Sequence, residues 1–176
     1  MTGQELVRRA SAHLGQAYQL GAAADLEDPD YAGPWDCADF VSWCVYQTHG
    51  LKLGLTVAGH PYSGAWIRWA EDPANAIDLE AAYDTPGAIL VRRPHHYGSG
   101  HVAISDGQGG TVEARGQRYG VVRARGRGRV WDLAGLPVRA EPPAVLQGAD
   151  SGRSFSRCAG LGEGYGRTLS PHPAQD

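Results

Sequence analysis

Leu6, Ala10, His13 and Leu14 recur at helical spacing over residues 3–14 among polar positions, and Gly15 closes the run. Residues 22–36 break the pattern with an acidic loop carrying Pro and Gly. From Cys37 to about Thr48 the helical period returns: Cys37, Val41, Cys44, Val45 and Thr48 fall on one face. Asp36 stands where an N-cap is needed and Gly50 where a C-cap is needed. "SGAWIRWAED" and "AIDLEAAY", within 60–83, predict one or two short helices. The period then changes. "PGAILVRR", "GHVAISDG", "GTVEARG" and "GVVRARGRGRVWDL" are short β-branched runs punctuated by Gly and Pro, which predicts an antiparallel meander with "DGQGG" as a hairpin turn. Helices first and strands after predict an α+β domain, its N-terminal helices packed on a small antiparallel sheet. After about Leu136 apolar residues thin out and Pro, Gly and Ser take over. We read 1–136 as the folded domain and 137–176 as a tail, disordered or loosely docked.

Composition narrows the function classes. Among 176 residues, 42% hydrophobic and 20% charged content is that of a soluble globular protein. A net charge of −3 with 16 Lys+Arg leaves no basic field for nucleic acid. The basic stretch "RARGRGR" at 123–129 reads as a strand with solvated arginines. No apolar run is long enough to cross a membrane, and the N-terminus lacks the apolar core of a signal peptide. The expectation is a protein made in the cytoplasm that reaches its place of action by another route.

Three cysteines, Cys37, Cys44 and Cys158, are too few and too irregularly spaced for a disulfide framework. Without a CxxC pair, no structural zinc site and no metal is predicted. Cys37 is different, because it opens a helix. There the helix dipole and a neighbouring imidazolium would lower a thiol's pKa, and unpaired first-turn N–H groups could stabilise an oxyanion. His101 begins the strand "HVAIS" after the glycine-rich "YGSG", and Glu113 lies in the next strand across the "DGQGG" turn. A carboxylate on one ring nitrogen would fix the tautomer and leave the other for the thiol. Cys37, His101 and Glu113 are therefore the candidate catalytic residues, with no cofactor.

At these residues the chain resembles the NlpC/p60-type cysteine peptidases, which hydrolyse bacterial cell-wall peptides. "DCADFVSW" resembles their Asp-Cys-Ser-Gly-Phe-Val helix start. "LGQAYQLG" is similar to the preceding segment, with Tyr18 at their active-site tyrosine, and "PGAILV" to their Pro-Gly-Asp-Leu strand. "GHVAISDGQGGTVEARG" resembles their histidine strand and the strand after it. The motifs occur in the family's order over about residues 4–125. The resemblance implies a compact papain-like fold, with Cys37 as nucleophile, His101 as base, and a peptidoglycan peptide as substrate. Two departures stand out: Ala38-Asp39 replaces Ser-Gly, and Glu113 replaces the commoner third-position His. The related CHAP amidases, a second resemblance, are similar in using a carboxylate there. Tyr18, Asp36, Asp39 and Trp35 are candidates for substrate or oxyanion contacts, Trp35 as a cleft wall. Action at the cell wall, after delivery by a phage or a secretion route, is the expected setting. The alternatives are a non-catalytic wall-binding module on the same fold, or a metal-dependent hydrolase using His95, His96, His101 and Glu113.

Overall fold

The computed structural model describes residues 2–96 and 98–138. All but the first two residues of the proposed tail, and Cys158 with them, lie outside the described residues.

Helix α1 (Gly3–Ser11) begins at a capping box, in which the Thr2 hydroxyl accepts from the Glu5 amide at 3.3 Å and the Glu5 carboxylate accepts from the Thr2 amide at 2.5 Å. It buries Leu6, Val7 and Ala10. The helix stops three residues before the end of the apolar pattern, because the Gly15 amide donates to the Val121 carbonyl at 2.8 Å and draws the chain onto the sheet. Leu14 is left largely exposed, and His13 turns into an aromatic cluster.

Helix α2 (Cys37–His49) is the central element. Asp36 caps it by accepting from the Ala38 and Asp39 amides, each at 2.8 Å, and Gly50 ends it in the left-handed conformation. Ten of its 13 residues are buried, so it is enclosed on nearly every side rather than presenting one stripe. Helices α3 (Ser63–Glu71) and α4 (Leu79–Tyr83) follow.

The five strands are β1 (Ile89–Arg92), β2 (His101–Ser105), β3 (Gly110–Gly116), β4 (Gly120–Arg125) and β5 (Leu133–Gly135), in the spatial order β4-β3-β2-β1-β5 with antiparallel pairs. Ile89, Val91, Val102, Ile104 and Val112 pack on one face with residues of α1 and α2. Leu90, Ala103 and Ala134 pack with Tyr83 and Trp131 in a second cluster. Burial on both faces explains why the strands read as apolar runs without clean alternation.

The run predicted as one strand over "GVVRARGRGRVWDL" is two. Strand β4 ends at Arg125, where the Gly126 and Arg127 amides both donate to the Gly109 carbonyl, and the chain crosses to the opposite edge to pair β5 with β1. The 126–129 stretch is therefore a crossing turn, and its arginines are not all solvated, as Arg129 shows below.

One close approach locks α1 to the start of β1. A Cβ on Gly87, whose φ is +79°, would meet the Gly3 Cα at 2.6 Å, and a Cβ on Gly3 would meet the Pro86 carbonyl oxygen at 1.9 Å. Gly87→Ala should destabilise the fold by about 2 kcal/mol or more, measured by denaturant unfolding, because neither backbone can retreat.

Candidate active site

The Asp36 cap fixes where α2 begins and so sets Cys37 at its first position. Cys37 is 9% exposed, the backbone amides of Val102, Ala38 and Cys37 itself lie near its sulfur, and it lines a cleft of about 590 Å³. That volume suits a short peptide segment. Burial first, and the Asp36 carboxylate second, push the Cys37 thiol up to about 12, with the three amides opposing them. This is opposite to the depression expected from the helix dipole and a neighbouring imidazolium. Desolvating a thiolate costs more than the dipole returns, and the resting group is a protonated thiol.

His101 starts β2, opposite Arg92 of β1, and lines the same cleft. The β2–β3 register, Ile104 with Val112 and Ser105 with Thr111, puts Glu113 on the His101 face, diagonal to the histidine. His101 Nε2 donates to Glu113 Oε2, which leaves Nδ1 as the lone-pair nitrogen.

Glu113 is wholly buried and fully engaged. Arg129 forks onto both its oxygens, Nη1 to Oε1 and Nη2 to Oε2 at 3.2 Å, while the Thr111 hydroxyl donates to Oε1 at 2.7 Å. Burial works to raise the Glu113 carboxyl, but hydrogen bonds and charge from His101 and Arg129 outweigh it and hold it at about 2. Trp131 completes the brace. Its ring stacks on His101 with centroids 5.8 Å apart, and the Arg129 guanidinium lies 4.9 Å from its centre.

Arg129 and Trp131 were not singled out in the sequence. The one available signal was a Trp two positions beyond an Arg in a glycine-rich turn, which becomes meaningful only once β5 is known to return beside β1. With a folded-state pKa depressed to about 2, the stability carried by ionised Glu113 is present above the ordinary carboxylate value and lost as pH falls toward 2. In Arg129→Met that loss sets in at higher pH, so the acid-unfolding midpoint followed by circular dichroism should move up.

The other candidates divide. Tyr18, Asp36 and Asp39 line the cleft with Cys37. The Tyr18 segment is clipped to the stretch that leads into Cys37, Gln19 N–H to the Trp35 carbonyl at 2.9 Å and Trp35 N–H to the Ala17 carbonyl at 3.0 Å. Burial, with Cys37, Asp36 and Asp39 nearby, raises the Tyr18 phenol to about 12, so it remains a hydrogen-bond donor. Trp35 does not wall the cleft. It is fully buried, donates from Nε1 to Gln16 Oε1 at 2.6 Å, and packs edge-on against His13, Tyr31, Phe40 and Trp43. Its neighbour Asp36 points out to cap α2 while the larger apolar ring takes the core. The Ala38 and Asp39 amides, expected to be open to an oxyanion, are taken by Asp36 Oδ1. His95 and His96 are exposed, and among the described residues no group of three His, Cys, Asp or Glu side chains is placed to hold a metal ion. His60, Tyr62 and Arg92 also line the cleft.

Comparison with solved structures gives the fold a context. The chain is similar to the NlpC/p60 domain of the peptidoglycan hydrolase SagA, with 21% identity and a TM-score of 0.55 over 77% of this chain and 98% of that one. The P60 domain of an antigen from M. avium subspecies paratuberculosis gives 18% identity and a TM-score of 0.59, covering 78% and 96%. The peptidoglycan hydrolase RipB from Mycobacterium tuberculosis gives 18% and 0.58, covering 78% of this chain and 65% of RipB. These likenesses establish an α+β fold of the NlpC/p60 type. No curated protein matches the sequence. The CHAP domain model matches residues 28–118, a span that holds Cys37, His101 and Glu113. The first resemblance thus describes the fold, and the second names the family whose model matches. By that match over more than half of its length, the chain belongs to the CHAP domain family.

Proposed function

We propose that this chain is a cysteine hydrolase that cuts amide bonds in the peptide stems of bacterial peptidoglycan through a thioester acyl-enzyme. One observation carries the reading: a thiol at a helix N-terminus shares a cleft with an imidazole braced by a buried, arginine-held carboxylate. SagA and RipB are peptidoglycan hydrolases, which supports the choice of substrate. Its place of action is the cell wall, reached by a phage or a secretion route.

Because burial keeps Cys37 un-ionised at rest, the reaction needs a base at the moment of attack. His101 Nδ1 takes the thiol proton as Sγ attacks the substrate carbonyl. Charge develops on the carbonyl oxygen, where the Cys37 amide and the Tyr18 hydroxyl act as donors. Glu113 stays ionised throughout, stabilising the imidazolium without taking its proton. The imidazolium then protonates the leaving amine, which departs and leaves the thioester. Water attacks next, His101 accepts its proton, and the acid and the free thiol are released.

Digesting purified peptidoglycan and identifying the fragments by mass spectrometry tests this reading. New amino and carboxyl ends within stem peptides, formed equally in the presence of a chelator, are the expected result. Unchanged peptide stems would overturn it.

A further inference from the structure

Glu113 is a wholly buried carboxylate, and a charge at that depth needs a cation beside it wherever it is ionised. Among the described residues two cations reach it, the Arg129 guanidinium and, when protonated, the His101 ring. Both meet on one atom. Glu113 Oε2 accepts from His101 Nε2 and from Arg129 Nη2, the latter at 3.2 Å, while Oε1 accepts from Arg129 Nη1 and the Thr111 hydroxyl. The two groups also share the Trp131 ring, on which His101 stacks and against which the guanidinium lies. The carboxylate and the indole that would steady an imidazolium are thus already engaged by a permanent cation.

Arg129 is held in that place. Its side chain is 23% exposed, and Nη1 also donates to the Arg125 carbonyl at 3.3 Å. The indole beside it is fixed in turn, Nε1 donating to the Gly126 carbonyl at 3.1 Å. No other charged or titratable group around the pair takes over this role. Cys37 shares the cleft from α2 and is kept protonated by burial, and Arg92, opposite His101 on β1, donates to the Ser99 carbonyl at 3.3 Å. Tyr83 of α4 lies near Arg129 as a neutral phenol, raised first by burial. Tyr18, Asp36, Asp39, His60, Tyr62 and Arg115 line the cleft, but among the described residues none of them forms an ion pair with Glu113 or His101.

We propose that Arg129 is a positioning residue that acts through Glu113: as the resident counter-cation of that carboxylate it leaves the His101 ring neutral at rest, with the Nδ1 lone pair free for the Cys37 proton. Without Arg129 the buried carboxylate has no partner cation except an imidazolium, and a base that already carries the proton cannot accept one. The turn after β4 therefore sets the pH range over which the base works, from the side of the ring remote from the thiol. The catalytic consequence rests on His101 being the base of the proposed hydrolase, but the charge assignment does not.

Nitrogen NMR of the imidazole reads the charge state without substrate, the His101 signals being assigned by their loss in His101→Gln. In the intact protein at about pH 7, Nε2 should carry a proton and Nδ1 none, whereas in Arg129→Met both should be protonated. Arg129→Lys keeps a cation and should match the intact protein. Arg129→Met combined with Glu113→Gln should match it too, because the charge that demanded a counter-cation is gone. An arginine with a purely structural role would not give this pattern. In peptide hydrolysis the acidic limb of kcat/KM should move up by at least about one pH unit in Arg129→Met and stay within about half a unit in Arg129→Lys. A doubly protonated ring in the intact protein, a neutral ring in Arg129→Met, or an unmoved acidic limb would each overturn the proposal, and the first of these needs no variant to fold. The expected ring states without cleavage of any stem peptide by the intact chain would instead overturn the hydrolase reading and leave the charge assignment standing.

Discussion

Cys37→Ala should abolish peptide hydrolysis, lowering kcat by at least about 10⁴-fold, while thermal unfolding stays within a degree or two of the intact protein. The two halves of that result follow from separate facts. The sulfur is the only atom in the scheme that can form the acyl bond, and a water held by His101 replaces it poorly. Alanine suits the first turn of a helix, and the Asp36 cap does not use the sulfur. Cys44→Ala should behave in the reverse way. Cys44, on α2, is fully buried in the core, so its loss costs about 1–2 kcal/mol of stability and leaves kcat nearly unchanged. Iodoacetamide gives a matching readout. Cys37 should label well before Cys44, at a rate that still climbs through about pH 9 because burial holds its thiol protonated.

Substitutions at Glu113 should injure both activity and folding, and by different routes. Glu113→Ala strips the partner from the Arg129 guanidinium and from His101 Nε2–H. Breaking a buried pair on one side costs about 3–5 kcal/mol, much of it for the charge left alone. Glu113→Gln keeps the volume and an acceptor oxygen but loses the charge that steadies the imidazolium. It should lower kcat by about 10 to 10³-fold with KM little changed, and Glu113→Ala should be worse because the ring also loses its orientation. Steady-state kinetics beside denaturant unfolding separates the effects. Full activity in both variants would reduce Glu113 to a structural strand residue.

The start of α2 was readable in the sequence because its signals are local: a capping Asp, a Cys at the first position, a helical period and a closing Gly. The hairpin that brings His101 and Glu113 to one face was readable for the same reason, since the turn and the side-chain period of two fix it. What escaped is non-local. Strand β5 is three residues long and pairs with β1 at the sheet edge, too short for any periodic signal, yet its approach carries Arg129 and Trp131 to the His101–Glu113 pair. Trp35 was misplaced because sequence proximity to Cys37 says nothing of direction, and a 0%-exposed ring in an aromatic cluster obeys the core. The thiol's pKa went the wrong way because the dipole is visible in a sequence and desolvation is not.

The central claim is that the amide bond is broken through an acyl group carried on Cys37. The most direct test mixes the protein with a peptidoglycan stem peptide, quenches in acid on the millisecond-to-second scale, and measures intact and proteolysed masses. The account predicts a transient adduct equal to the acyl half of the peptide, mapped to the fragment that contains Cys37 and lost in step with release of the second product. Products that accumulate at full rate with Cys37 alkylated beforehand, or an adduct mapped to another residue, would contradict it.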